Sequence, residues 1–102
     1  MLLKIHTEAE GDLLRATLSG EFDLAAVPQF RSAVEHAQTP WERAEIDMAD
    51  VAFMDSSGLQ ALVHLNNAAH EQGFTVTLVR PSHPVRRLLE LTGLESQFAV
   101  RD

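Results

Sequence analysis

Apolar residues in this 102-residue chain recur at two different periods, and the periods take turns along its length. Leu3, Ile5 and Thr7 alternate with Lys4 and His6; Leu14, Ala16 and Leu18 alternate with Leu13, Arg15 and Thr17. A period of two puts alternate side chains on opposite faces of a strand. Glu10-Gly11-Asp12 between the two runs has turn chemistry, so they predict an antiparallel hairpin. Beyond Ser19-Gly20 the period lengthens. Ala26, Phe30, Ala33, Val34 and Ala37 form one helical stripe, which predicts a helix over about residues 24–37. Asp23 is its expected N-cap, and Pro28 is tolerated in the first turn.

The alternation then repeats. Ala44 to Met48 predicts a third strand, and Val51 to Met54 returns the chain to the core. Residues 57–72 predict a second helix, with Leu59, Leu62, Val63, Asn66 and Ala69 near one face and Gly73 past its end. Thr75 to Val79 is rich in β-branched residues and predicts a fourth strand. Residues 83–92 predict a third helix through Val85, Leu88, Leu89 and Thr92, with Gly93 beyond it. Gln97 to Val100 could add a short final strand. Trp41, after the loop Gln38-Thr39-Pro40, is expected to cover one end of the core with its indole. The order β-β-α-β-α-β-α predicts one α/β domain over residues 1–102. Its sheet is mixed and four-stranded, an N-terminal antiparallel hairpin followed by βα units, with three main helices.

Charge and composition exclude several roles. The net charge is −7 and Lys4 is the only lysine, so a nucleic-acid partner is disfavoured. The chain has no cysteine, which removes disulfides and zinc–thiolate sites and suits a reducing compartment. The apolar start is too short for a signal peptide, and no apolar run reaches membrane-spanning length. A cytoplasmic protein without membrane insertion is expected. No two of His6, His36, His64, His70 and His83 stand three or four residues apart, so no metal site and no metal cofactor are expected. The chain lacks a G-x-S-x-G elbow, a Walker-type loop and G-x-G-x-x-G.

Two segments carry the remaining chemistry. In Phe53-Met54-Asp55-Ser56-Ser57-Gly58-Leu59-Gln60, an apolar run meets a helix. Ser57 and Gln60 have the spacing of a capping box, which occupies Ser57 and leaves the Ser56 hydroxyl outside the helix. Ser57→Ala is then expected to cost about 1 kcal/mol. Gly58, without a side chain, is expected to keep the helix start open to an approaching group, so that Gly58→Trp would block a partner and spare the fold. Taken alone, Asp-Ser-Ser-Gly is more often a plain strand-to-helix turn. In Gly20-Glu21-Phe22-Asp23, Asp23 ends a strand and could join Asp55 in a carboxylate pair beside Ser56. Two solvated caps are the favoured reading of that pair, over a Mg²⁺ site. Arg80, Arg86 and Arg87 frame the third helix, most simply as solvated charges.

These segments, together with Ile46-Asp47-Met48, Val85-Arg86-Arg87-Leu88-Leu89 and Leu91-Thr92-Gly93-Leu94, resemble the STAS-domain anti-sigma-factor antagonist family in order and spacing. The resemblance spans nearly the whole chain, and Asp-Ser-Ser-Gly-Leu is its most specific part. It implies a regulator, not an enzyme. Ser56 would be the phosphoacceptor and Asp23 part of its site; the partner-binding surface is expected on the start of the second helix and the Gly20–Leu24 loop, with Asp23, Asp55, Ser57 and Gly58 in it. The implied partners are an anti-sigma-factor serine kinase, which supplies ATP and Mg²⁺, and a phosphoserine phosphatase. The unphosphorylated form would hold the kinase, and phosphorylation would release it. Gln60, where the family usually has a small residue, and Phe22, where an aliphatic is commoner, depart from the pattern. A second implication is a STAS-domain regulatory subunit of a lipid-transport ABC transporter complex.

Overall fold

A computed structural model describes residues 2–37 and 40–102. The expected loop residues Gln38 and Thr39 lie outside the described residues. Strands β1 (Lys4–Glu10) and β2 (Leu13–Phe22) form the hairpin. A 3₁₀ turn (Leu24–Ala26) leads into α1 (Val27–Glu35). Then follow β3 (Arg43–Met54), α2 (Ser56–Glu71), β4 (Thr75–Val79), α3 (His83–Thr92), a second 3₁₀ turn (Glu95–Gln97) and β5 (Ala99–Arg101).

The sheet has five strands rather than four, in the order β1-β2-β3-β4-β5. Only β1 and β2 are antiparallel; β2 to β5 run parallel. The fifth strand, Ala99–Arg101, is the short final strand that Gln97 to Val100 could add but that the four-strand count leaves out; all three residues are exposed, so no buried period marks it. Its ladder to β4 holds it in place, Thr77 opposite Ala99 and Val79 opposite Arg101.

Each parallel crossover carries a helix and steps to the next strand in the same direction. Right-handed crossovers stepping one way lay all their helices on one face of the sheet. The strand burial agrees. Leu14, Ala16 and Leu18 on β2, Ala44 and Ile46 on β3, and Val76 and Leu78 on β4 are buried beneath the helices. Their alternates Arg15, Thr17, Glu45, Asp47 and Thr77 face the other way. Parallel sheets are usually covered on both faces. Here the uncovered face carries charge instead. Glu45 accepts from Arg101 at 2.8 Å and from Arg15 at 3.2 Å, bridging three strands. Arg101, and after it Arg15, hold the Glu45 carboxyl below its usual range, with partial burial opposing them. Arg80 pairs with Asp47, and Arg86 pairs with Asp102 and donates to the Pro81 carbonyl. Two of the three arginines around α3 are therefore internal ties.

The core is one cluster. Phe22 at the end of β2 meets Phe30 of α1, ring centroids 4.9 Å apart, and both are fully buried. Burying each ring contributes roughly 2–3 kcal/mol. The Trp41 indole N–H donates to the Val34 carbonyl at 3.1 Å, satisfying one of the free acceptors at the end of α1, and its ring tilts against Phe74. It covers that end of the core, as the sequence predicts.

Strand β3 corrects one expectation. It is a single strand, not a strand followed by a return. Against β2 it carries two extra residues: Thr17 and Ser19 face Asp47 and Asp50, and Gly20 and Glu21 face Val51 and Phe53. Each bulge lengthens the buried spacing from two to three, so the core residues run Ala44, Ile46, Met48, Val51, Met54. At the second irregularity Gly20 takes φ +100, where an added Cβ would lie 2.5 Å from the Leu2 carbonyl oxygen.

Candidate functional site

Strands β2 and β3 stop side by side, with Phe22 opposite Met54. Each is followed by an aspartate, and each aspartate does the same work. Asp23 leaves β2 with extended backbone (φ −111, ψ −175), and its Oδ1 accepts from the Ala26 N–H at 3.2 Å, capping the 3₁₀ turn. Asp55 leaves β3 in nearly the same conformation (φ −104, ψ −177). Its Oδ1 accepts from the Ser57 N–H at 2.9 Å and the Gly58 N–H at 3.1 Å. The strand ends are tied by the Asp55 N–H, which donates to the Phe22 carbonyl at 3.4 Å.

Asp55, not Ser57, is thus the N-cap of α2, and the expected capping box is overturned. Asp and Ser are comparable caps. The contest is decided by where β3 ends: the chain is still extended at Asp55 and already helical at Ser56. The helix therefore starts at Ser56, one residue earlier than expected. The cost assigned to Ser57→Ala moves with the cap. Asp55→Ala should lower stability by about 1–2 kcal/mol, because it frees two amide donors of the first turn. Asp55→Asn should recover most of that loss, and Ser57→Ala should lose less than Asp55→Ala. Urea unfolding of the three variants checks the order; Ser57→Ala as the costliest would restore the capping box.

Ser56, the first helical residue, is exposed, and the cap is made without its hydroxyl. Ser57 is half-buried. It lines a cleft of about 150 Å³ between the 3₁₀ turn and α2, with Leu24, Val27, Gln60 and His64 among the walls. Asp23 and Asp55 are half-buried at the two strand ends. The structure brings together Asp23, Asp55, Ser56 and Ser57.

Gly58 departs from expectation. It is buried, and an added Cβ would lie 2.4 Å from the Phe22 carbonyl oxygen, 3.0 Å from Met54 Cγ and 3.1 Å from Phe22 Cδ1. Its lack of a side chain lets the first turn of α2 press onto the end of β2. It does not hold a surface open, and a tryptophan there would wreck the contact instead of merely blocking a partner.

Sequence reasoning puts Leu24 in the partner-facing Gly20–Leu24 loop but gives its side chain no role; it is 69% exposed beside Ser57. One signal was available: Leu24 lies off the stripe of Ala26, Phe30 and Val34, so a large apolar side chain there has no core to enter. The two carboxylates are caps first, the favoured reading of the pair. Among the described residues no cluster of three or more His, Asp or Glu side chains is placed to hold a metal ion. Among the described residues no helix is long and apolar enough to cross a membrane.

Comparison with known proteins agrees with this geometry. A family model described as "Mlab, STAS domain" matches residues 5–101. A STAS-domain containing protein of Pseudomonas aeruginosa is 29% identical over 100 residues, covering 98% of this chain and 99% of that protein. An anti-sigma F factor antagonist of Paenibacillus polymyxa is 29% identical over 104 residues, covering 100% of this chain and 89% of that protein. Among solved structures, an anti-sigma factor antagonist from Mycobacterium paratuberculosis superposes with a TM-score of 0.80 at 26% identity, covering 98% of this chain and 86% of that one. By sequence over nearly its whole length and by fold, this chain belongs to the STAS-domain family that contains the anti-sigma-factor antagonists.

Proposed function

We propose that this protein is an anti-sigma-factor antagonist that works in the cytoplasm by partner switching. With Ser56 bare it binds an anti-sigma-factor serine kinase. That kinase phosphorylates Ser56 and thereby loses its grip, and a phosphoserine phosphatase resets the cycle. The chain is substrate and switch, not enzyme, and brings no cofactor of its own. Asp23, Asp55 and Ser57 border the contact surface, while Gly58 supports it from beneath.

The observation that carries the proposal is the division of labour at the start of α2. Asp55 takes the capping duty, so the exposed Ser56 hydroxyl is free to react without unseating the helix. A kinase needs an accessible hydroxyl that it can hold in line with the γ-phosphoryl group, and this one meets that need. Relatives named as anti-sigma factor antagonists support the biological setting.

The test is affinity capture with the unphosphorylated chain, followed by incubation of the captured kinase with ATP and phosphosite mapping. Label on Ser56, absent from Ser56→Ala, is the expected result. Label on Ser57, or undiminished label on Ser56→Ala, would overturn the assignment. One observation favours a second reading. The family model that matches residues 5–101 is described as "Mlab, STAS domain" and not as an antagonist, which keeps open the reading of the chain as a STAS-domain regulatory subunit of a lipid-transport ABC transporter. Recovery of transporter ATPase subunits, with no kinase and no label, would select that reading.

A further inference from the structure

Asp23, Asp55 and Ser57 are accounted for above, and so is Ser56. Leu24 is not. A single exposed leucine on a protein surface needs no explanation. This one is distinguished by where it stands and how firmly it is held. It opens the 3₁₀ turn Leu24–Ala26, and the turn is pinned twice by Asp23. The Ala26 N–H donates both to the Asp23 side chain at 3.2 Å and to the Asp23 carbonyl at 3.1 Å. Ala26 is buried, so the turn is anchored in the core while Leu24 points away from it. Leu24 also forms one wall of the cleft it shares with Ser57, Val27, Gln60, His64 and Arg31, whose charge is met by Glu35 one turn along α1. A large apolar side chain on a preordered backbone loses little freedom when a partner covers it.

We infer that Leu24 is the apolar anchor of the partner interface, seated in an apolar pocket of a protein partner whose surrounding surface is basic. The inference rests on the proposed function, since it assumes that the partner docks at the ends of β2 and β3. Charge complementarity argues for the basic surround. Asp23 and Asp55 stand on adjacent strand ends beside Leu24 and Ser56, in a chain of net charge −7. A neutral or acidic partner would strip water from those carboxylates without return, whereas cations would replace it. Binding energy at such interfaces concentrates in a few central, fully covered side chains, while charged borders govern encounter and salt dependence.

The experiment uses the full chain and the serine kinase recovered by affinity capture, purified and supplied with ATP. Leu24→Ala should weaken binding by at least about tenfold, and Leu24→Asp by more. In the labelling reaction the loss should appear as a raised KM with little change in kcat. Leu91, also a highly exposed leucine but on α3, supplies the control: Leu91→Ala should bind within about twofold of wild type. Because Leu24 is exposed, Leu24→Ala should melt no lower than wild type. Wild-type affinity should fall as salt rises. If wild type binds and is labelled on Ser56 while Leu24→Ala binds within about twofold of it, the anchor is wrong and the proposed function stands. Salt-independent affinity would overturn the basic surround. If wild type neither binds the kinase nor is labelled, the proposed function fails, and the anchor with it.

Discussion

Gly58→Ala should melt about 15 °C below the wild-type protein, corresponding to a loss of roughly 3 kcal/mol in a domain of this size. Alanine inside a helix is ordinarily better than glycine by about 1 kcal/mol, so propensity alone gives the opposite sign. Contact decides. The new Cβ would stand 2.4 Å from the Phe22 carbonyl oxygen, a distance real Cβ atoms do not adopt. The oxygen cannot retreat cheaply. It accepts from the Asp55 N–H, and the Phe22 ring is packed on Phe30 with no exposure. Met54 Cγ at 3.0 Å could shift; the backbone oxygen cannot do so without moving the end of β2 or lifting the first turn of α2. Either movement strains the Asp55 cap. Thermal unfolding followed by circular dichroism measures the loss. A melting temperature within about 3 °C of wild type would mean that α2 does not rest on the Phe22 carbonyl.

The second large effect is on binding. Phosphorylation of Ser56 should weaken the kinase complex on the order of 100-fold, equivalent to roughly 2.7 kcal/mol, and should leave the fold of the free protein unchanged. A phosphate adds about 1.5 to 2 negative charges. A helix N-terminus usually welcomes an anion through its free amides. In α2 the Ser57 and Gly58 amides are already taken by Asp55 Oδ1, so the phosphate finds those donors occupied and a carboxylate beside it. It stays outward, in the path of whatever fitted the bare hydroxyl. Ser56→Glu should weaken binding less than the phosphate, having less charge and fewer acceptor oxygens. Calorimetric titration of the bare and phosphorylated forms gives the ratio. Equal affinities would sink the switch. Amide chemical-shift changes reaching far beyond the start of α2 and the Gly20–Leu24 segment would mean that the fold itself responds.

Much of this was legible in the sequence because it is local. The switch between periods of two and 3.6 marks the two hairpin strands, the helix stripes through Phe30 and Val85, and β4. Asp-Ser-Ser-Gly-Leu located the candidate site by resemblance. The failures share a different cause. The contact that governs Gly58 is with the carbonyl of Phe22, on another strand, and no window around Gly58 contains it. The choice between Asp55 and Ser57 as cap depends on the exact end of β3, which two bulges have displaced. Those bulges also broke the alternation after Met48 and made one strand look like two pieces. β5 is legible only as a possible strand, outside the count of four, because it buries none of its three residues and is held by a ladder and by Arg101 reaching Glu45, both distant in sequence.

The strand order carries one more consequence, for how the chain assembles. Because the sheet reads β1 to β5 in sequence, no strand has to be inserted between two that are already paired. The hairpin can form first, from residues separated by a tight turn. Each later strand then joins the free side of its immediate predecessor, bringing its own helix to cover the new stretch of apolar surface. Each new pairing closes over a single βα unit, Ala16 onto Ile46, Ile46 onto Leu78 and Leu78 onto Val100, so no strand waits for a partner further along the chain, although these non-local parallel ladders form more slowly than the hairpin. A chain emerging from the ribosome can therefore build this sheet in the order of synthesis, with Arg101 closing onto Glu45 as the last tie.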